Sequence, residues 1–130
     1  MTVEIQWLLY VALFTALQWV PYILNQIAVR GLVDAVGYPA EPKPLADWAQ
    51  RAKAAHYNSV ENLVVFAALI VVAHLSGITS GAIQTACMVY FWARVAHYAL
   101  YVLGVPGGRT VTFAVGWFAT IFIGWQILAA

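Results

Sequence analysis

The sequence predicts an all-α membrane protein: four transmembrane helices in an up-down bundle, forming a single domain over residues 1–130. Three observations carry this. Hydrophobic residues make up 64% of the chain and charged residues 8%, against roughly 45–50% and about 25% in soluble domains. A domain this small has too little interior to hide so much apolar surface from water. The charges also cluster, leaving residues 5–29, 62–93, 95–108 and 110–130 without any Asp, Glu, Lys or Arg. No stretch alternates polar and apolar residues as a barrel strand would, so the spans are read as helices.

A spanning helix needs about 20 residues. The first span is placed at 5–29. It opens Met1-Thr2-Val3-Glu4, with no basic segment before a long apolar run, so it reads as a retained helix rather than a signal peptide. Pro21 is expected to kink it, which a bundle tolerates. Gln18 and Asn25 read as interhelical hydrogen-bonding residues. Residues 30–47 follow, with Pro39, Pro42 and Pro44 enforcing an irregular loop. Asp47 reads as an N-cap with Gln50 as its capping-box partner, so the second helix is expected to start near Trp48 and to span the membrane over 54–75. The charge-free run 62–93 is too long for one helix and contains the turn cluster Ser76-Gly77-Ile78-Thr79-Ser80-Gly81. A third span at 82–103 and a fourth at 110–129 complete the set, joined by Gly104-Val-Pro106-Gly107-Gly108.

With four spans, the 1–2 and 3–4 loops share one side. All six Lys and Arg (30, 43, 51, 53, 94 and 109) fall on or toward that side, which makes it cytoplasmic and places both termini in the periplasm or lumen. A net charge of +1 on so few basic residues argues against nucleic acid as a partner. Membrane lipid is the expected surrounding. Cys87 is the only cysteine, so neither an internal disulfide nor a cysteine metal cage can form. With three histidines and no HExxH or phosphate-loop motif, no metal is expected. Cys87 reads as a packing residue, His74 has no clustered partners, and the Trp and Tyr residues read as belt or core.

The informative residues are the polar ones inside the spans. On helix two, Arg51, Ala55, Asn58 and Asn62 share a face, with Glu61 beside Asn58. On helix three, Arg94, His97, Tyr98 and Tyr101 share a face. Glu61 and Arg94 lie about 8 and about 12 Å from the same membrane boundary, at 1.5 Å per residue. An intramembrane charge costs ~2.5–3.5 kcal/mol at the bilayer centre, so the two are expected to pair or to share a polar ligand. Arg109 enters helix four at that boundary. Arg51 and Lys53 also read as interface residues whose charges snorkel to water. Cations, amides, tyrosine hydroxyls and one carboxylate together suit a zwitterionic ligand with excess negative charge. Two other classes stay open: a small proton- or cation-coupled transporter using Glu61, against which Arg94 and Arg109 weigh for cationic cargo, and a non-catalytic membrane scaffold.

Three segments occur in a familiar order: Asn58-Ser-Val-Glu61-Asn62 followed by Phe66; Ala93-Arg94-Val-Ala-His97-Tyr-Ala-Leu-Tyr101; and Arg109-Thr110-Val-Thr-Phe113. Together they resemble the MAPEG family, the membrane-associated proteins of eicosanoid and glutathione metabolism, which includes microsomal glutathione transferases and the leukotriene and prostaglandin synthases. The resemblance covers nearly the whole chain. It implies a homotrimer that binds glutathione, as co-substrate, between neighbouring subunits near the cytoplasmic side. The implied activity is a glutathione transferase or peroxidase acting on a lipophilic electrophile or hydroperoxide. Within that resemblance Asn58 and Glu61 match residues that hold the glutathione backbone, and Asn62 lies in the same motif. Arg94 matches a part-structural, part-ligand arginine. His97 and Tyr101 match glutathione contacts, and Arg109 matches the arginine that stabilises the thiolate, with Tyr101 as a hydroxyl donor. Arg30 matches a ligand arginine ending helix one. Ala54 departs from the pattern, standing where the family often carries a glutathione-binding arginine. Arg51, one turn earlier, and the adjacent Lys53 are long enough to substitute, and another small thiol is the alternative ligand. His56 resembles the prostaglandin synthase branch. The chemistry implied is modest in scale, because a free thiol has a pKa near 8.5 and lowering it by one unit takes ~1.4 kcal/mol from a nearby guanidinium.

Overall fold

A computed structural model describes residues 1–130 and contains helices and no strands. Six helices follow in order: α1 Val3–Leu17, α2 Trp19–Arg30, α3 Leu32–Val36, α4 Asp47–Leu75, α5 Gly81–Leu103 and α6 Gly108–Leu128. Four helical units, with α1 and α2 taken as one, are long and apolar enough to cross a membrane. This is an integral multi-pass membrane protein.

Helix one is interrupted just before Pro21, where a kink was expected. The break falls at Gln18, where the backbone N–H bonds Thr15 O at 3.2 Å instead of continuing the α-helical ladder. A proline ring crowds the carbonyl four residues back and offers no N–H to it, so the break lies upstream of the proline itself. Tyr98 Oη on α5 donates to Gln18 O at 3.2 Å across the break.

Asp47 is not the cap of α4. It is the first helical residue, and Ala46 occupies the cap position. The capping acceptor comes from another helix: Asn25 Oδ1 takes the Ala46 N–H at 3.0 Å, while Gln50 Nε2 turns back to Leu45 O at 2.8 Å. Asn25 thus ties α2 to the start of α4, and Arg30 Nε ties the same loop through Lys43 O at 2.7 Å.

The core lies between α1, α4, α5 and α6. Phe66 and Tyr90 stack with ring centroids 3.9 Å apart, and Val11, Ile70, Ile83, Cys87 and Ile123 pack around them. Many buried positions are small: Ala49, Ala52, Ala55, Ala73, Ala86, Ala93 and Ala119. Small side chains let helices approach closely, which matters in a bilayer where lipid removes the hydrophobic drive between them. Thr15 and Thr120 sit inside the bundle because each hydroxyl donates to the carbonyl one turn back, at 2.8 and 2.9 Å. Large apolar residues cover the outside.

Candidate functional site

The end of the bundle where α5 gives way to α6 is cut by three adjoining recesses of about 290, 260 and 350 Å3, and Tyr101 and Arg109 line all three. The first is completed by Asn58, His97, Thr110 and Phe113. The second runs along Arg51 and the loop Gly104–Gly107. The third adds Asp47, Gln50 and Ala54 from the first turns of α4. These adjoining recesses form one polar groove.

Behind Asn58 lies Arg94, which is 2% exposed. The guanidinium Nη2 donates to Asn58 Oδ1 at 2.7 Å and to Ser59 Oγ at 3.0 Å. Asn62 Nδ2 donates to the same Oδ1 at 3.3 Å and to Asn58 O at 2.8 Å. With its oxygen held by two donors, Asn58 leaves its NH2 for the groove, and the reverse orientation would set amide hydrogens against a guanidinium. His97, 2% exposed, stands edge-on to Tyr101 at 5.5 Å. The Arg109 guanidinium lies 4.9 Å from the centre of the Tyr101 ring, a cation–π placement that holds the charge over the groove. Arg51 Nε donates to Val102 O at 3.0 Å, satisfying a carbonyl that the end of α5 leaves unpaired. Gly104, at φ +69, passes close enough that a Cβ there would stand 3.2 Å from Arg51 Nε. The groove therefore offers two guanidinium groups, an amide donor, a phenol and an imidazole, with Asp47 as the lone carboxylate at its rim.

The structure brings together Arg51, Asn58, His97, Tyr101 and Arg109, with Asn62 and Arg94 behind Asn58. It does not bring Glu61 to Arg94. Glu61 is exposed on the outer side of α4, and the partners of Arg94 are neutral. The buried stripe of α4 runs through Ala52, Ala55, Ser59 and Phe66, and two residues past Ser59 is about 200° around the helix. Equal depth fixed only the axial position; the azimuth separates the two. Arg30 is likewise apart, engaged with Lys43 O and absent from the groove lining. Ser59, Thr110, Phe113 and the Asp47–Gln50 turn were not singled out from sequence as parts of the site. A serine one residue from Asn58 on the buried stripe was the available signal. His56 shares a hydrogen bond with Tyr22 Oη at 2.8 Å, linking α4 to α2 away from the groove.

The family model for the MAPEG family matches residues 7–129. No curated protein and no solved structure matches the chain.

Proposed function

The chain belongs to the MAPEG family, and on that premise we propose that it binds glutathione or a closely similar small thiol in the groove and activates it as the thiolate. The observation that carries this is the convergence of the Asn58 amide, His97, Tyr101 and Arg109 on one recess at the end of α5. Asn58 N–H groups suit a carboxylate or peptide carbonyl of the ligand, and Arg51 suits its anionic end. Arg51 lines the same recess as Ala54, which supports its taking the place of the family's arginine there. Arg109, over Tyr101, is the stabiliser of the sulfur anion. The thiol proton leaves to water, and the sulfur lone pair forms the new bond to an electrophilic carbon of a lipophilic substrate. Either a leaving group departs from that carbon with its bonding pair, or the π bond of an activated alkene opens and its far carbon takes a proton from water. With a hydroperoxide, a second thiol completes the disulfide as the peroxide is reduced to alcohol and water.

Glu61 enters this reading only across subunits. It lies on an outer face with Val60, Val64 and Val65 exposed around it, so a neighbouring copy in a homotrimer would receive it beside its own groove. The groove side faces the cytoplasm in this reading, in keeping with its cluster of Lys and Arg. A thermal shift series on the detergent-solubilised protein tests the proposal. Glutathione is expected to raise the midpoint, with S-methyl glutathione weaker. Flat responses across glutathione and a panel of other small thiols would leave a scaffold that has kept only the fold.

A further inference from the structure

At the end of α5 opposite Arg109, a separate recess of about 170 Å3 is walled by Thr2, Glu4, His74, Gly77 and Thr79, with Ala73 and Ile78 supplying apolar wall. Glu4 is 3% exposed. Thr79 Oγ1 donates to Glu4 Oε1, and Gln84 Nε2 donates to Thr79 Oγ1 at 3.4 Å, which commits the threonine hydrogen to the carboxylate. Glu4 Oε2 is buried and has no partner. An unmet carboxylate oxygen at the edge of a bilayer is costly. The chain's Lys and Arg all lie elsewhere, at 30, 43, 51, 53, 94 and 109, so only the first turn of α1 and His74 on the recess wall offset the charge from within the chain.

We propose that this recess is a primary-ammonium site in which the Glu4 carboxylate is both counter-ion and hydrogen-bond acceptor, a small rotation of the side chain bringing the buried Oε2 to the ligand. An ammonium carries three N–H donors, and the hydroxyl oxygens of Thr2 and Thr79 are acceptors on the same wall. A divalent metal fits poorly, because Glu4 is the sole carboxylate and no three His, Cys, Asp or Glu residues gather anywhere in the chain. A quaternary ammonium fits poorly as well. It has no N–H to give Oε2, and no Trp, Tyr or Phe lines the recess to form an aromatic cage. A single water needs only about 10–15 Å3 of such space, so there is room for an aminoethyl group. Two sources share this chemistry: the ethanolamine headgroup of a membrane lipid, and a small free amine. The site shares no residue with the thiol groove and stands independently of it.

The test reconstitutes the full chain in equimolar phosphatidylethanolamine and phosphatidylcholine with identical acyl chains, extracts it in mild detergent, and weighs the retained lipids by mass spectrometry. The wild-type protein is expected to enrich the ethanolamine lipid about fivefold, to retain the mono- and dimethylated headgroups progressively less, and to show no enrichment of choline. Glu4→Gln is expected to bring the ratio to about one, while Glu4→Asp keeps part of the preference. In a second arm, free ethanolamine added to protein in pure phosphatidylcholine raises the thermal midpoint if a soluble amine suffices. A flat response there, with enrichment in the first arm, assigns the site to the lipid. A wild-type ratio near one without an ethanolamine shift overturns the proposal, and so does a preference that Glu4→Gln leaves intact. The wild-type methylation series reads out even if a variant fails to fold.

Discussion

Arg109 and Arg94 are both arginines of the same cluster, yet their surroundings give them different work. Arg109 is exposed and held over the Tyr101 ring, free to meet a ligand atom. Arg109→Leu should leave the fold intact, weaken thiol binding mildly and remove most of the thiolate ultraviolet absorbance at neutral pH. Turnover should fall roughly 10–1000-fold, the equivalent of ~1.4–4 kcal/mol of transition-state stabilisation. A variant with wild-type thiolate signal and rate would remove Arg109 from the chemistry. Arg94 is buried and spent on Asn58 and Ser59. Its loss should act through Asn58, whose amide could then turn over. In double-mutant cycles on thiol affinity, Asn58→Ala and Arg94→Leu should couple by more than about 0.5 kcal/mol, whereas Glu61→Gln and Arg94→Leu should add within that margin. Coupling in the second pair and none in the first would reverse the assignment.

Among the elements, the α5–α6 connection does most to shape the groove. It places Tyr101 in the last turn of one helix and Arg109 in the first turn of the next. Gly104 and Gly107 both stand in the left-handed region, at φ +69 and +75, where an added Cβ costs ~1–2 kcal/mol. They differ in what lies beside them: Arg51 packs on Gly104, and open space surrounds Gly107. Alanine at either position should therefore lower stability by a similar ~1–2 kcal/mol in chemical or thermal unfolding. Only Gly104→Ala should also push Arg51 aside and raise the thiol Kd. Equal effects of the two substitutions on Kd would mean that Arg51 does not meet the ligand.

For the whole molecule, the division between residues gathered in one groove and Glu61 facing outward makes a claim about assembly. If each site combines Arg109 of one chain with Glu61 of its neighbour, chains carrying Arg109→Leu and chains carrying Glu61→Gln should complement each other. Random equal co-assembly into a cyclic trimer should regenerate about a quarter of the wild-type sites, measured as turnover of the mixed preparation against either variant alone. Activity no higher than the average of the two variants would place Glu61 outside the site, and a detergent-corrected mass of one chain would remove the shared site altogether.

Composition and charge spacing were enough for the four spans and for most of the polar residues of α4 and α5, because both depend on local periodicity and on the cost of charge in hydrocarbon. Tyr98, expected on the polar face of α5, instead turns to Gln18 O and Phe14 on helix one. The motifs carried the family. Helix one shows where that local reading ends: Pro21 announced a disturbance, but the position of the break at Gln18 follows from the steric reach of the ring one turn back. The start of α4 shows it again: Ala46 rather than Asp47 is the cap, and Asn25, remote in sequence, accepts its N–H. Glu61 and Arg94 show it most clearly. Their depths were legible from residue counts, and their separation was not, because which side of α4 turns inward is decided by the packing of Ala55, Ser59, Phe66 and Tyr90. Glu4 lay within the first four residues as an unremarked charge. Only the approach of the α4–α5 turn, with Thr79 closing over it, made it a buried carboxylate with one oxygen still unmet.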